Sequence, residues 1–312
     1  MQYTGGFTMK ETLVILAAGM GSRYGGMKQI DGVGNHNEPI IEFTIYDAIK
    51  TGFKKVVLII KKEHEAIFEE SLVKKIRPFI EVEYAYQDID DLPEGNSVPE
   101  GRVKPWGTTH ALLSCRDILK EDPFVVCNAD DFYGRNAFEK IMDFFHNGID
   151  DRTYCMVGYK VEKTLSDNGT VTRGYCQKDD EGYLTSIKEI MNIKWNDDHT
   201  GVVYEDNGEY KEMEMGSPVS MNFWGFTPSV IGKLADIFVR ELPEGIKNNP
   251  IKYEALLPNH VGVMVKEGTA RVKVLTSEDS WFGVTYKEDK PTVVAKIQEL
   301  KDKGVYPDNL FE

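Results

Sequence analysis

The sequence predicts an α/β fold, a Rossmann-like three-layer sandwich around a mostly parallel central sheet. Two observations carry that expectation. Short runs such as Thr12 to Ala18, Val56 to Ile60 and Phe124 to Ala129 are almost wholly apolar, the mark of strands covered on both faces. Between them lie amphipathic segments, among them Pro39 to Thr51 with Ile41, Ile45, Ala48 and Ile49 on one side and Gly52 as a stop. Strands and helices in alternation build a parallel sheet with helices on both faces.

The remaining elements follow in order. Glu63 to Lys75 reads as a helix and Glu81 to Tyr86 alternates as a strand. Gln87 to Trp106 is irregular and rich in Asp, Pro and Gly; loops of this length often serve as lids, binding loops or subunit contacts. His110 to Leu119 and Asn136 to Phe145 are helical in pattern. After about residue 150 the pattern changes. Tyr154 to Val161, Tyr183 to Ile187, Val202 to Glu205, Val219 to Phe226 and Arg271 to Leu275 read as strands. Asp206-Asn207-Gly208 is a turn signal. Ser229 to Glu241 and Pro291 to Lys303 read as helices, the second with proline in its first turn.

The chain of 312 residues carries a formal net charge of -14. Such a charge repels nucleic acid and anionic membranes at long range. It repels small anionic substrates as well, so these need local cations or a metal. Cys115, Cys127, Cys155 and Cys176 form no CxxC pair, and buried free thiols are expected. No apolar run approaches the roughly 18 residues of a membrane helix, and the N-terminus lacks a basic-then-apolar leader. A cytoplasmic protein is expected, with residues 1–8 a disordered extension and 9–312 a single domain.

Chemistry concentrates after the first apolar run, in Leu16-Ala17-Ala18-Gly19-Met20-Gly21-Ser22-Arg23, with Lys28-Gln29 beyond it. Gly19 and Gly21 lack a Cβ, so backbone N–H groups can approach phosphate oxygens. Arg23 supplies a permanent forked cation and Lys28 a compact one. The spacing matches neither GxGxxG nor GxxxxGK[ST]. An ordinary Gly-rich turn with surface Arg and Lys is the plainer alternative. Asp130 closes the strand Phe124 to Ala129, where a carboxylate can hold a hard cation; Asp131 suits a cap for the helix that follows.

Four ordered motifs resemble the nucleotidyltransferases that make nucleotide-activated sugars: LAAGxGSR with its nearby lysine, Glu38-Pro39-Ile40-Ile41, Gly107-Thr108-Thr109-His110-Ala111 and Asn128-Ala129-Asp130-Asp131. The resemblance implies the nucleotide-diphospho-sugar transferase type of fold. Residues 9–150 would form the nucleotide-binding half, and 151–312 the sugar-binding half with a C-terminal helix. It implies Arg23 and Lys28 as catalytic cations, and Ala18, Gly19, Gly21, Ser22, Gln87, Gly107 and Thr108 as nucleotide contacts. Gly174, Glu189 and Asn222 would be the sugar contacts and Asp130 a ligand of Mg2+. The family's second metal carboxylate falls on Gly283, leaving Asp279 or Asp289 as substitutes. Its lysine after the sugar-binding glutamate is Ile190, leaving Lys188 or Lys194. Expected partners are a nucleoside triphosphate, with a lean to UTP or dTTP, and a sugar 1-phosphate, and a homo-oligomer is open. The competing readings are transfer to a non-sugar acceptor and a catalytically silent sensor of nucleotides or sugar phosphates.

Overall fold

The computed structural model describes residues 10–19, 28–284 and 286–312. The expected extension over residues 1–8 lies outside them. The N-terminal half is built as β1 (Thr12–Leu16), α1 (Ile40–Thr51), β2 (Lys55–Ile60), a helical stretch, β3 (Glu81–Tyr86), α4 (Thr108–Leu113), β4 (Phe124–Asn128), β5 (Asp131–Phe132) and α5 (Arg135–Asn147). The stretch before β3 opens with a 3-10 turn and continues through α2 (Glu65–Phe68), a π-helical segment (Glu69–Val73) and α3 (Lys74–Ile76). That wider turn lets Phe68, Leu72, Val73 and Ile76 all reach the core. Gly52 ends α1 with φ 107, a left-handed cap that glycine adopts without strain.

The second half contributes β6 (Thr153–Lys160), β7 (Val171–Lys178), β8 (Leu184–Trp195), β9 (Val202–Asp206), β10 (Glu209–Met213), β11 (Pro218–Phe226), α6 (Ser229–Asn248), α7 (Leu257–Lys266), β12 (Arg271–Thr276), β13 (Phe282–Gly283) and α8 (Lys290–Asp302). Asn207 and Gly208 turn β9 into β10 with φ 55 and 85, as the sequence signal requires.

The sheet order is β10-β9-β8-β7-β11-β4-β1-β2-β3, with β6 beside β11 and β12 beside β6. Strands β4, β1, β2 and β3 run parallel. Beyond β4 the main run is antiparallel, and β6 and β12 form a parallel pair of their own. The sheet as a whole is therefore mixed; a mostly parallel sheet holds for the N-terminal half. β11 changes neighbours along its length. Val219 and Ser220 face β7, whereas Trp224 to Phe226 face β4, and Asn222 sits in the break with φ 62. Asparagine tolerates that left-handed conformation better than most residues.

One core, with Leu13, Ile15, Phe68, Phe138 and Tyr159, lies under α1 and α5. The other, with Val14, Trp106, Leu112, Trp224 and Leu234, lies under α4, α6 and α7. A third cluster joins α8 and the tail to α1 through Phe43, Phe132, Phe282, Val293 and Tyr306. Here Lys301 and Glu38 form a buried ion pair at 2.7 Å. All four cysteines are buried and free, as expected.

Three helices differ from the sequence pattern. α4 stops at Leu113, because the Ser114 hydroxyl donates to Ala111 O and Arg116 turns to Asp91. Side-chain bonds of this kind compete with the helical ladder. α6 runs past Glu241, through Pro243, to Asn248. α7 was hidden behind Pro258 and Gly262, yet its proline occupies the first turn, where no N–H is needed.

A candidate nucleotide site at the strand tips

The tips of β1 and β4 lie side by side. Leu16 pairs with Asn128, and Ala129 N donates to Leu16 O at 3.3 Å. Ala18 is buried, and a Cβ built on Gly19 would meet no described residue within 4 Å. Gly21, Ser22 and Arg23 lie outside the described residues. Lys28 opens a 3-10 turn over Lys28–Ile30, and its side chain also lies outside. Gln29 anchors this turn by donating to Gly19 O.

At the tip of β4 a side-chain chain runs across three elements. Asn222 Nδ2 donates to Asn128 Oδ1 at 2.9 Å, and Asn128 Nδ2 donates to Asp131 Oδ2 at 2.8 Å. The Tyr133 hydroxyl donates to Met221 O at 3.0 Å, and Trp224 Nε1 to Asn222 Oδ1 at 3.0 Å. Asp131 is thus a buried member of this network and not the cap of α5. That cap is Asp279, whose Oδ2 accepts from Asn136 N at 2.8 Å. Asp289 is engaged elsewhere too: Oδ1 accepts from Ser166 and Asn168, both at 2.8 Å, and Oδ2 from Tyr286 N at 2.7 Å. Asp279 and Asp289, the candidates for a second metal carboxylate, thus also serve the scaffold. Gly283 pairs with Asp131 across β13 and β5. A Cβ there would lie 2.7 Å from Asp131 Oδ1, so a side chain at 283 requires Asp131 to move.

The other end of the site lies past β3. Gln87 N donates to Ile60 O at 3.0 Å, which fixes its backbone. Its side-chain Nε2 donates to Gly107 O at 3.1 Å and lies 3.2 Å from His110 Nδ1. Gly107 has φ 96, and a Cβ on it would lie 2.6 Å from Ala255 O. The turn thus needs glycine for its conformation and for the close passage of the chain before α7. The Thr108 hydroxyl accepts from Leu257 N at 2.8 Å, which commits it to the first turn of α7.

The long segment between Gln87 and Gly107 is tied to the body of the protein through Arg102. Buried Arg102 donates to four carbonyls, of Lys104 at 2.9 Å, Pro105 at 3.1 Å, Pro250 at 2.9 Å and Tyr253 at 2.6 Å. It also lies 3.6 Å over the Trp106 ring.

Gly174 and Glu189 pair directly across β7 and β8. The side of Gly174 without a Cβ is filled by Ile187 at 3.2 Å and Ser220 at 3.3 Å, a packing requirement independent of any ligand. Glu189 is exposed. Lys194 sits over the Tyr210 ring at 4.4 Å. Ile190 lies opposite Arg173, a buried cation packed on Trp281 at 4.8 Å and lowered to about 10 by burial. The sequence pattern gives no sign of Arg173 and no role to Asn128 or His110. His110 stood inside the motif that pointed to Gly107, and only its partners mark it out.

A family model for nucleotidyl transferases matches residues 12–190, more than half of the chain. The chain belongs to the nucleotidyl transferase family. Two solved structures share its fold over nearly their whole length. One is a candidate glucose-1-phosphate thymidylyltransferase from Bacillus anthracis in complex with sucrose. It is 16% identical, with a TM-score of 0.61 over 93% of this chain and 96% of that one. The other is HddC from Yersinia pseudotuberculosis, 14% identical, with a TM-score of 0.57 over 92% and 99%. A search of the curated proteins finds no match. Among the described residues no helix is long and apolar enough to cross a membrane.

In this nucleotidyl transferase Asp130 is the carboxylate at the β4 tip that could hold a cation. Among the described residues no three His, Cys, Asp or Glu side chains cluster as a metal cage. Asp130 follows β4 at the tip, while Asp279 and Asp289 are held elsewhere by the bonds above. A hard cation with a single protein carboxylate completes its shell from water and phosphate oxygens.

Proposed function

We propose that the chain is a sugar nucleotidyltransferase, coupling a nucleoside triphosphate to a sugar 1-phosphate and releasing pyrophosphate. The observation that carries this reading is the arrangement of the strand tips. The Gly-rich segment after β1 is flanked in the sheet by a carboxylate past β4 and an amide-bearing turn past β3. In open α/β sheets ligands bind at such carboxyl ends. The fold shared with a candidate glucose-1-phosphate thymidylyltransferase supports a sugar phosphate as acceptor.

The reaction is an in-line displacement. A phosphate oxygen of the sugar 1-phosphate bonds to the α-phosphorus, the bond from that phosphorus to the bridging oxygen breaks, and pyrophosphate leaves. The attacking oxygen is already ionised at neutral pH, so no general base is required. Catalysis reduces to alignment and charge neutralisation. In this proposal Arg23, Gly21, Ser22 and the amides near Gly19 hold the β- and γ-phosphates, Lys28 lies over the α-phosphate, and Gln87 and Gly107 orient the base. Glu189 and Asn222 accept and donate to sugar hydroxyls, beside Gly174. Asp130 would hold Mg2+, which supplies positive charge to the phosphate oxygens when bound.

The test is pyrophosphate release from a panel of triphosphates, each paired with sugar 1-phosphates, alcohol phosphates or cofactor phosphates. Release only with sugar 1-phosphates is expected. Release with another acceptor class reassigns the substrate, and no release with any pair favours a sensor.

A further inference from the structure

The amide of Gln87 can point either end at a ligand, and its surroundings remove that choice. The atom 3.1 Å from Gly107 O must be the nitrogen, since a carbonyl only accepts. His110 settles the second hydrogen. Its Nε2 lies 2.8 Å from Asp91 O, another pure acceptor, so Nε2 carries the proton. Burial holds the ring below its ordinary pKa, against the raising influence of Asp91 and Asp88 and alongside the lowering influence of Arg116. The ring is therefore neutral at physiological pH, and its Nδ1 is an acceptor. That acceptor lies 3.2 Å from Gln87 Nε2 and takes the remaining hydrogen. Both donors of Gln87 are thus turned inward, and Oε1 accepts from no described residue.

The device is rigidly mounted. Arg116 pairs with both carboxylate oxygens of Asp91, at 2.7 and 2.9 Å, and this holds the carbonyl that sets the tautomer. The His110 ring packs on Phe238, with centroids 5.5 Å apart.

We infer that His110 and the Asp91 carbonyl lock the Gln87 amide so that it offers the nucleobase an acceptor only, which selects bases bearing a ring N–H at the edge being read. Uracil, thymine and guanine carry that hydrogen; cytosine and adenine present an unprotonated ring nitrogen there. Two facing acceptors leave both unpaired, which costs more than a missing contact. His110 is a positioning residue, and the long segment carrying Asp91 is its mount. The inference rests on the nucleotidyl-transfer reading and needs no knowledge of the acceptor.

Calorimetric titration of the full chain with UTP, CTP, GTP and ATP in magnesium buffer tests it. Within each size-matched pair, the base with the ring N–H is expected to bind at least about tenfold tighter. His110→Leu is expected to shrink that ratio to below about threefold. His110→Asn, whose Oδ1 can replace Nδ1 as acceptor, is expected to keep most of it. CTP and ATP binding as tightly as UTP and GTP would overturn the inference while leaving nucleotide binding intact. So would a folded His110→Leu that keeps the wild-type ratio, or a His110→Asn that loses it as fully as His110→Leu. Should His110→Leu not fold, half-buried Gln87→Met carries the test: collapse of the ratio supports the lock and retention overturns it. Binding of no triphosphate at all would remove both the inference and the function beneath it.

Discussion

The two ends of the site are built on different plans. At the base end the protein supplies every partner itself: Gln87, Gly107, His110 and Asp91 bond to one another at 2.8 to 3.2 Å. At the end proposed for the phosphates, the candidate carboxylates also serve the scaffold. Asp279 caps α5 and Asp289 ties the Ser166 turn to the start of α8. Asp130 follows β4 at the strand tip, where the proposal places the cation. Preorganised groups confer selectivity, while a single carboxylate leaves most of the charge balance to the substrates. Selection should therefore reside in one end and rate in the other.

That division can be broken experimentally. The largest effect is expected for Asp130→Asn, a loss on the order of 10²–10³ in kcat, by comparison with removal of one electrostatic group from a preorganised site. Steady-state pyrophosphate release measures it, and a fall below about tenfold would move the metal role elsewhere.

A smaller effect is expected behind the phosphate end, where Asp47 accepts from Arg135 Nε at 2.9 Å and from the Tyr306 hydroxyl at 2.6 Å. Burial raises the Asp47 carboxyl to about 6, against these two partners. A raised folded-state value means that the native chain holds more protons than the unfolded one between the ordinary carboxylate range and that point. The contribution is therefore full at low pH and is lost as pH climbs through this window, by at most about 3 kcal/mol. Urea midpoints at about pH 4 and about pH 7 for wild type and Asp47→Asn report it. The substitution is expected to flatten the difference, and an unchanged pH dependence would assign it to other groups.

The smallest effect is expected for Asp279→Ala. Losing the cap of α5 is expected to cost about 1 kcal/mol of stability, seen as a lower melting temperature. Turnover below that temperature is expected to stay within about threefold of wild type. A turnover loss matching that of Asp130→Asn would restore Asp279 as a metal ligand and erase the contrast.

Much of the framework was legible because it depends on local pattern. Strands β1, β2 and β4 carry continuous apolar runs, Gly52 stops α1, and Asn207-Gly208 turns the β9–β10 hairpin as its residue types require. The mixed character of the sheet was not legible. Antiparallel β7 reads Val-Thr-Arg-Gly-Tyr-Cys-Gln-Lys, with neither alternation nor a continuous apolar run. The site divided in the same way. Gly107 and Gln87 could be singled out from a local motif. The employment of Asp279 by α5 spans 143 positions, and no spacing rule reveals it. The use of Arg102 as a clamp for a distant connection is hidden for the same reason.

The close approach of Gly107 to Ala255 carries a consequence for how the molecule is made. The turn that would cradle the base leans on backbone from residues 250–257, through Ala255 N to Trp106 O at 2.7 Å and Thr109 N to Ala255 O at 2.9 Å. During synthesis the first parallel strands can collapse early, but this cradle stays unsupported until the later stretch has emerged from the ribosome. The turn is therefore completed only after about 150 further residues have been made, the separation of Gly107 from Ala255.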